Sequence, residues 1–218
     1  MTKKLKIISI ITSIFIALVL LILAVKITLN FRALYYFDID YLKITEITDL
    51  TKEEIKENYD VLIDYLGSTN KNKLDFPNLP MSEAGEIHFE DVKSIFITLD
   101  YVLIFSLLIS ITGILYLYKQ KSYHFYKYSS LFLFGLPILL LIPLLIDFDT
   151  FFTLFHKIAF RNDYWLFDPD TDPIITLLPQ RFFMHAALLI LIIITIESLL
   201  LNYLHRFHIK KYINKLKK

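Results

Sequence analysis

The chain has 218 residues, of which 56% are hydrophobic and 16% aromatic, and its formal net charge at pH 7 is +1. Soluble domains are about 45–50% apolar, so this composition excludes an ordinary water-soluble globule. The small net charge excludes a uniformly basic nucleic-acid binder. No cysteine is present, which excludes disulfides, thiol nucleophiles and thiolate metal sites.

The apolar residues form blocks separated by charged stretches, a pattern typical of a polytopic membrane protein. Crossing a hydrocarbon core of roughly 30 Å takes about 20 helical residues. We therefore predict an all-α membrane protein, a four-transmembrane-helix bundle with a small extracytoplasmic cap, forming a single integral membrane domain over residues 1–218. The predicted spans are 7–29, 95–118, 129–148 and 182–204, and the cap comprises 30–94 and 149–181. The first span is predicted to be a retained anchor, because no A-x-A cleavage site follows it.

The distribution of Lys and Arg predicts the orientation in the membrane. The N-terminal segment, the connection between the second and third spans and the C-terminal tail together contain twelve basic residues and no acidic residue. The two other connections contain 20 acidic and ten basic residues. Basic residues favour the cytoplasmic side of short loops. We therefore expect a multi-pass protein of the cell membrane with both termini cytoplasmic and the acidic cap outside.

One helix is predicted within the cap, over residues 52–66. Thr51 and Glu54 have the spacing of a capping box. Apolar residues then recur at helical spacing before Gly67, at Ile55, Tyr59, Leu62 and Leu66. Such a stripe is typical of a face that packs on a core or on lipid headgroups.

Two histidines are expected at the boundary between the cap and the membrane. His88 lies in the run GEIHFEDVK that leads into the second span, and Asp91 would share its helical face and fix its tautomer. His156 opens a segment rich in aromatic, acidic and proline residues just before the last span. That segment suits a pocket for an amphiphilic ligand, and the structural alternative is an aromatic belt at the membrane interface. For His88, the structural alternative is a histidine that is simply paired with a neighbouring acid at the start of a helix.

Two charged residues fall inside predicted spans. Lys26 and Asp100 lie at similar depths in the first and second spans, which favours an ion pair between the two helices. Snorkelling of Lys26 is the alternative. The sequence contains no G-x-S-x-G elbow, no Walker loop and no H-E-x-x-H pair. His88, His156 and nearby carboxylates have acceptable metal-ligand types but no diagnostic spacing.

The two outer motifs, in the context of the whole chain, resemble the bacterial lipoprotein intramolecular transacylase family. The first motif is the run His88, Asp91, Val92 and Lys93. The second extends from Phe155 and His156 through Trp165, Asp168, Pro169, Asp172 and Pro179 to Phe182 and Phe183. The resemblance implies transfer of the sn-2 acyl chain of a diacylglyceryl lipoprotein to the α-amino group of its own N-terminal cysteine, which gives the lyso form.

The resemblance also implies that His88 and His156 are the catalytic pair. An imidazole with a pKa near 6.5 can remove a proton from an α-ammonium group whose pKa is about 7.7–8.0. We assign His156 as the base and His88, oriented by Asp91, as its acid partner, although the residue types permit either assignment. The residues expected to bind or orient the substrate are Asp91, Lys93, Tyr36, Asn162, Trp165, Asp168 and Asp172. Of these, Asp168 or Asp172 is the candidate ligand for the substrate ammonium group.

The expected partners are the lipoprotein substrate and membrane lipid, with no nucleic acid, no cofactor and no metal. Two other classes of function stay open at this point. One is a non-catalytic membrane receptor or assembly factor whose acidic cap binds a cationic partner. The other is a metal-dependent intramembrane hydrolase.

Overall fold

The regular elements of the protein are helical throughout the residues that its computed structural model describes, 2–70 and 72–216. The helices, in chain order, are α1 Lys3–Asn30, α2 Arg32–Tyr41, α3 Lys52–Gly67, α4 Glu83–Lys119, α5 His124–Ile146, α6 Phe148–Ala159, α7 Ile174–Leu177 and α8 Gln180–Leu216. A short 3₁₀ turn at Ile44–Glu46 follows α2. The predicted all-α fold class is confirmed.

Three helices of the described chain are long and apolar enough to cross a membrane, namely α1, α4 and the Gln180–Asn214 part of α8. They contain the predicted spans 7–29, 95–118 and 182–204. The predicted span 129–148 overlaps α5, whose side chains at 136–138 and 140–145 lie outside the described residues. The fourth span therefore stays a prediction.

Helix α4 begins well before the predicted span. It has 37 residues, and at a rise of 1.5 Å per residue it is about 55 Å long, almost twice the thickness of a hydrocarbon core. Its first turns, which carry Glu86, His88, Glu90 and Asp91, belong to the same continuous helix as the apolar part. The polar motif around His88 is thus helical rather than a connecting loop.

The chain divides into two compact units. The first unit comprises Met1–Lys26, Asp100–Ile142 and Leu189–Lys218. Small and hydroxyl side chains join its helices: the Ser13 hydroxyl donates to the carbonyl oxygen of Phe125 at 2.9 Å, and the Ser198 hydroxyl donates to that of Ser130 at 2.9 Å. Gly113 of α4 lies directly against Thr12 of α1, and a Cβ there would collide with the Thr12 side chain. Small residues at such crossings let membrane helices approach closely.

The predicted ion pair between the first two spans is confirmed. The Lys26 Nζ and the Asp100 carboxylate form a salt bridge at 2.5 Å within the first unit. Both side chains are partly buried. A charged group inside a membrane span requires a partner of this kind.

The second unit comprises Ile27–Leu99 and Pro143–Leu188, and it has its own apolar core. The predicted helix at 52–66 is confirmed as α3, and its apolar stripe is buried in this core. The capping box is also formed: the Thr51 hydroxyl accepts from the backbone N–H of Glu54, and the Glu54 carboxylate accepts from that of Thr51. Tyr35 of α2, a helix that the sequence reading did not predict, stacks on Tyr59 of α3 at a centroid distance of 3.7 Å.

Candidate active site

The structure brings the two predicted histidines together within the second unit. His88 lies near the start of α4, and His156 lies in the last turn of α6. Their ring centroids are 6.1 Å apart, and the ring planes are inclined by 30°. A small reacting group can contact both imidazoles at this separation. Since the two rings are close, a positive charge on one disfavours a second charge on the other.

His88 is enclosed by aromatic rings. Its side chain is buried, and its ring lies edge-on to Phe160 at 4.8 Å and to Phe167 at 5.3 Å. The Nδ1 atom of His88 is buried and has no hydrogen-bond partner within the described chain. A buried ring nitrogen without a partner is unfavourable in a resting protein and is free to bind a substrate atom.

The ring of His156 is fixed by its own helix. Nδ1 lies 2.8 Å from the carbonyl oxygen of Phe152, which can only accept, so Nδ1 carries the proton and Nε2 carries the lone pair. Nε2 has no hydrogen-bond partner among the residues described. Burial lowers the pKa of His156 below the ordinary imidazole value, against a smaller opposing effect of the Phe152 carbonyl. The indole of Trp165 lies 4.9 Å from the His156 ring.

Burial and the nearby His156 lower the pKa of His88, and the charge of Asp91 raises it by a smaller amount. Contrary to the prediction, Asp91 forms no hydrogen bond within the described chain that would fix the tautomer of His88. The Asp91 carboxylate accepts a hydrogen bond from the Asn162 side-chain amide at 2.9 Å, and the described residues include no hydrogen bond between Asp91 and His88. The spacing of three residues places both side chains on related faces of α4. The His88 ring, however, turns into the aromatic cluster around it, whereas Asp91 reaches the loop after α6.

Asn162 links that loop to α4 and also supports Trp165. The backbone carbonyl of Asn162 accepts a hydrogen bond from the Trp165 indole at 3.1 Å, and its side-chain oxygen accepts from the backbone N–H of Tyr164 at 3.2 Å. Asp91, Asn162, Trp165 and His156 thus form a connected series of contacts. The sequence predicted these residues as members of one site, but it did not predict their order.

The two candidate ammonium ligands have structural partners. Both carboxylate oxygens of the buried Asp172 are engaged, one by the backbone N–H of Ser82 and the other by the Thr171 hydroxyl, each at 2.8 Å. Asp168 is exposed, and its carboxylate accepts from the backbone N–H of Asp170 at 3.0 Å. Asp172 therefore ties the acidic loop to the start of α4, and Asp168 braces a turn within that loop.

Tyr36 and Lys93 are engaged in other parts of the second unit. The Tyr36 hydroxyl donates to the Asp60 carboxylate at 2.7 Å. The Lys93 ammonium is buried, donates to the carbonyl oxygen of Asn70 at 2.6 Å, and lies 3.9 Å from the centroid of the Tyr65 ring. Among the described residues, no hydrogen bond or ring contact joins either side chain to the two histidine rings. The structure thus gives both residues roles in holding the cap helices and loops, where the sequence predicted substrate contacts.

A buried His and Asp pair was missed by the sequence reading. His185 Nδ1 lies 2.8 Å from the carboxylate of Asp38, which is completely buried. The pair joins α8 to α2, and Tyr41 lies beside the imidazole at 5.8 Å. The two residues are 147 positions apart, so no local spacing could reveal the contact. The one signal in the sequence was a histidine near the start of the predicted apolar span 182–204.

One protein family matches most of the chain. The sequence model of the family described as lipoprotein intramolecular transacylase Lit matches residues 10–183, well over half of the chain. The chain belongs to this family. It is therefore an acyltransferase of the membrane, and Lit membership decides against the receptor and hydrolase alternatives. No match was found among curated protein sequences.

Solved structures agree with the assignment to Lit. The in meso structure of the membrane integral lipoprotein intramolecular transacylase Lit from Bacillus cereus is 44% identical, with a TM-score of 0.93, covering 96% of this chain and 97% of that chain. A variant of that protein with a histidine replaced by arginine is 42% identical over 99% of this chain and 95% of that chain, with a TM-score of 0.88. A variant with a histidine replaced by alanine is 43% identical over 96% and 95%, with a TM-score of 0.88.

Proposed function

We propose that this Lit protein moves the sn-2 acyl chain of a diacylglyceryl lipoprotein to the α-amino group of the same molecule's N-terminal cysteine, with His156 as general base and His88 as its acid partner. The observation that carries the proposal is the pair of facing imidazoles in an aromatic enclosure, each with a ring nitrogen available to a substrate. The product is the lyso form of the lipoprotein.

His156 is suited to remove the amine proton. Its Nε2 carries the lone pair because Nδ1 donates to Phe152, and its lowered pKa keeps the ring neutral at physiological pH. A neutral amine attacks the ester carbonyl carbon and forms the C–N bond of the amide. The base takes the proton that the nitrogen must lose, which is the role of a general base in acyl transfer.

His88 is suited to serve the leaving glyceryl oxygen. As the tetrahedral intermediate collapses, the C–O bond to the sn-2 oxygen breaks, and that oxygen requires a proton. The proton collected by His156 passes to the unpartnered Nδ1 of His88, and the imidazolium formed there donates it to that oxygen. The overall change is one proton moved from nitrogen to oxygen, so both rings return to their starting state.

Positioning contributes a large part of the catalysis. The amine and the ester carbonyl of one lipoprotein meet in a roughly eight-membered cyclic arrangement, and holding reacting groups together supplies about 7–11 kcal/mol in ideal intramolecular cases. The aromatic rings of Phe152, Phe160, Phe167 and Trp165 line the pair. Such a lining excludes water and contacts glyceryl and acyl groups. The Asn162 to Asp91 bond supports the loop that carries Trp165.

We also propose that both termini are cytoplasmic and that the site faces outward. The support is the charge asymmetry, with twelve basic and no acidic residues in the N-terminal segment, the α4–α5 connection and the tail. Since the chain contains no native cysteine, one cysteine introduced in each exposed connection reports its side by reaction with a membrane-impermeant maleimide on intact cells.

The chemical proposal is tested by expressing the full chain beside a reporter lipoprotein in a bacterium without this activity. Transfer from oxygen to nitrogen leaves the mass of the lipopeptide unchanged, so tandem mass spectrometry must locate the acyl chain through N-acylated fragment ions. We expect His88→Ala and His156→Ala each to lower N-acyl transfer by about 10²–10⁴-fold. The matched control is His124→Ala, whose ring neighbours Tyr128 and His205 and is expected to leave transfer intact.

A further inference from the structure

Helix α6 exposes a large apolar face. The side chains of Leu154, Phe155 and Ile158 are 53%, 52% and 75% exposed, and no residue of the helix is fully buried. These positions recur at the spacing of a single helical face. Isolated exposed apolar side chains are common, but a continuous exposed stripe on a helix that carries a proposed catalytic base requires a partner that covers it.

The rest of the helix surface carries aromatic and charged side chains. Phe152 and His156 point toward the aromatic enclosure, where the Phe152 ring also lies 5.2 Å from Phe183. Asp149 and Lys157 are exposed. At about 100° per residue, Asp149 lies about 20° from His156 around the helix, and Lys157 lies about 60° from Leu154 on the side away from the enclosure. The exposed stripe thus lies between the aromatic face and Lys157.

We infer that α6 lies in the membrane interface, with the face formed by Leu154, Phe155 and Ile158 in contact with lipid acyl chains. The helix has 12 residues, about 18 Å in length, and cannot span a hydrocarbon core of roughly 30 Å. A short helix with a broad apolar surface and a narrow charged face is the form that rests parallel to the bilayer.

The charges around the stripe favour lipid as the occupant. Lys157 beside the stripe and Arg161 just after the helix are both exposed, and their cationic groups suit the phosphates at the depth where an interfacial helix rests. A second copy of the chain, by contrast, would bring these basic residues of two molecules together. Because the chain is an integral membrane protein, the bilayer is the apolar environment that is available to cover the exposed stripe next to the enclosure.

This inference deepens the proposed function and rests on it for one consequence. The stripe and the proposed base share a helix, and their faces are neighbours. A lipoprotein whose acyl chains stay in the bilayer therefore reaches His156 laterally along α6, without its chains entering water. The substrate thus enters the site from the lipid surface rather than through an aqueous cleft.

The absence of native cysteine allows a direct test with single-cysteine variants of the full chain. Leu154→Cys and Ile158→Cys report the stripe, and Asp149→Cys and Lys157→Cys are controls at exposed charged positions of the same helix outside the stripe. Each variant is labelled with bimane and reconstituted into nanodiscs of phosphatidylethanolamine and phosphatidylglycerol. Quenching is measured with doxyl-labelled phospholipid and, separately, with iodide.

Lipid contact predicts that doxyl quenching at positions 154 and 158 exceeds that at 149 and 157 by at least about twofold, with the reverse order for iodide. Equal iodide quenching at all four positions would overturn the inference by showing a water-exposed stripe. Protection of positions 154 and 158 from both quenchers would overturn it in favour of a protein partner or a second copy.

N-acyl transfer by the unlabelled variants separates this inference from the proposed function. Leu154→Cys and Ile158→Cys are expected to retain transfer. If the stripe is exposed to water and transfer is intact, the lipid contact alone is overturned. If the stripe is embedded in lipid but His156→Ala still carries out transfer, the catalytic proposal alone is overturned.

Discussion

The Nδ1 atom of His156 lies 2.8 Å from the carbonyl oxygen of Phe152, one helical turn earlier. Because a carbonyl only accepts, this contact keeps the proton on Nδ1 and the lone pair on Nε2. The imidazole is partly buried, which favours its neutral form. Helix α6 thus presents a base in a fixed tautomer before any substrate arrives.

The titration of His156 gives the first prediction. Its pKa is lowered by burial, so the ring stays neutral at pH 7 and gains a proton only below the ordinary value of about 6.5. The neutral ring is the active base, and transfer is therefore lost as the pH falls through this lowered pKa. We expect NMR of histidine-labelled protein in nanodiscs, assigned with His156→Gln, to give a midpoint below 6.5. A midpoint above that value would contradict the burial argument.

Trp165 is predicted to hold the base in place. Its indole lies 4.9 Å from the His156 ring and donates to the carbonyl oxygen of Asn162. Aromatic contacts of this kind contribute about 0.5–1.5 kcal/mol, so Trp165→Ala is expected to slow N-acyl transfer by up to about tenfold. Trp165→Phe keeps a ring but loses the hydrogen bond, and an intermediate rate is expected. Equal rates in both variants and the wild type would exclude this role.

The bond between Asn162 and Asp91 is predicted to position the loop. Asp91→Leu removes the acceptor, while Asp91→Asn keeps a side-chain oxygen at the same place. Hydrogen bonds to charged groups contribute about 1.5–3 kcal/mol, and partial exposure reduces that value here, so we expect about tenfold slower transfer for Leu and a much smaller loss for Asn. The assay is tandem mass spectrometry of the lipopeptide. Equal losses in Asp91→Asn and Asp91→Leu would contradict this role and show that the charge of Asp91, which both variants remove, matters more than its hydrogen bond.

Asp172 is predicted to stabilise the fold rather than to bind the substrate amine. Asp172→Ala leaves the backbone N–H of Ser82 without its acceptor, which costs about 1–3 kcal/mol for a buried group. We expect a lower Tm in a thermal unfolding assay and unchanged transfer per folded molecule. Gly85→Ala supplies a second variant, because its new Cβ would collide with the Asp172 carboxylate. An unchanged Tm with lost transfer in Asp172→Ala would restore the role predicted from the sequence.

Features that depend on local pattern could be predicted from the sequence. The helix at 52–66 was found because its apolar spacing and its capping box are both short-range signals, and α3 carries both. The Lys26 to Asp100 ion pair was found because charges at matching depth in two spans need each other. The pairing of His88 with His156 came from the family resemblance, since no local spacing connects the two residues.

Features that depend on tertiary contacts were missed or misassigned. Helix α6 begins at Phe148, almost directly after α5, and the rest of it falls in the segment 149–181 that the sequence assigned to the cap without predicting a helix there. Asp91 was matched to His88 because the spacing allowed it, while its actual partner is Asn162, 71 residues away. Asp172 looked available to a cation until its buried position and internal partners were known.

The central claim is that His88 and His156 act as one proton-transfer unit. The measurement that tests it most directly is N-acyl transfer by His88→Gln, His156→Gln and the double variant, with protein amount matched and acyl position read by tandem mass spectrometry. Groups that act as a unit give non-additive losses, so each single variant should lose about 10²–10⁴-fold and the double variant should be scarcely slower than the worse single variant. Wild-type transfer in either single variant, or losses that multiply in the double variant, would contradict the account.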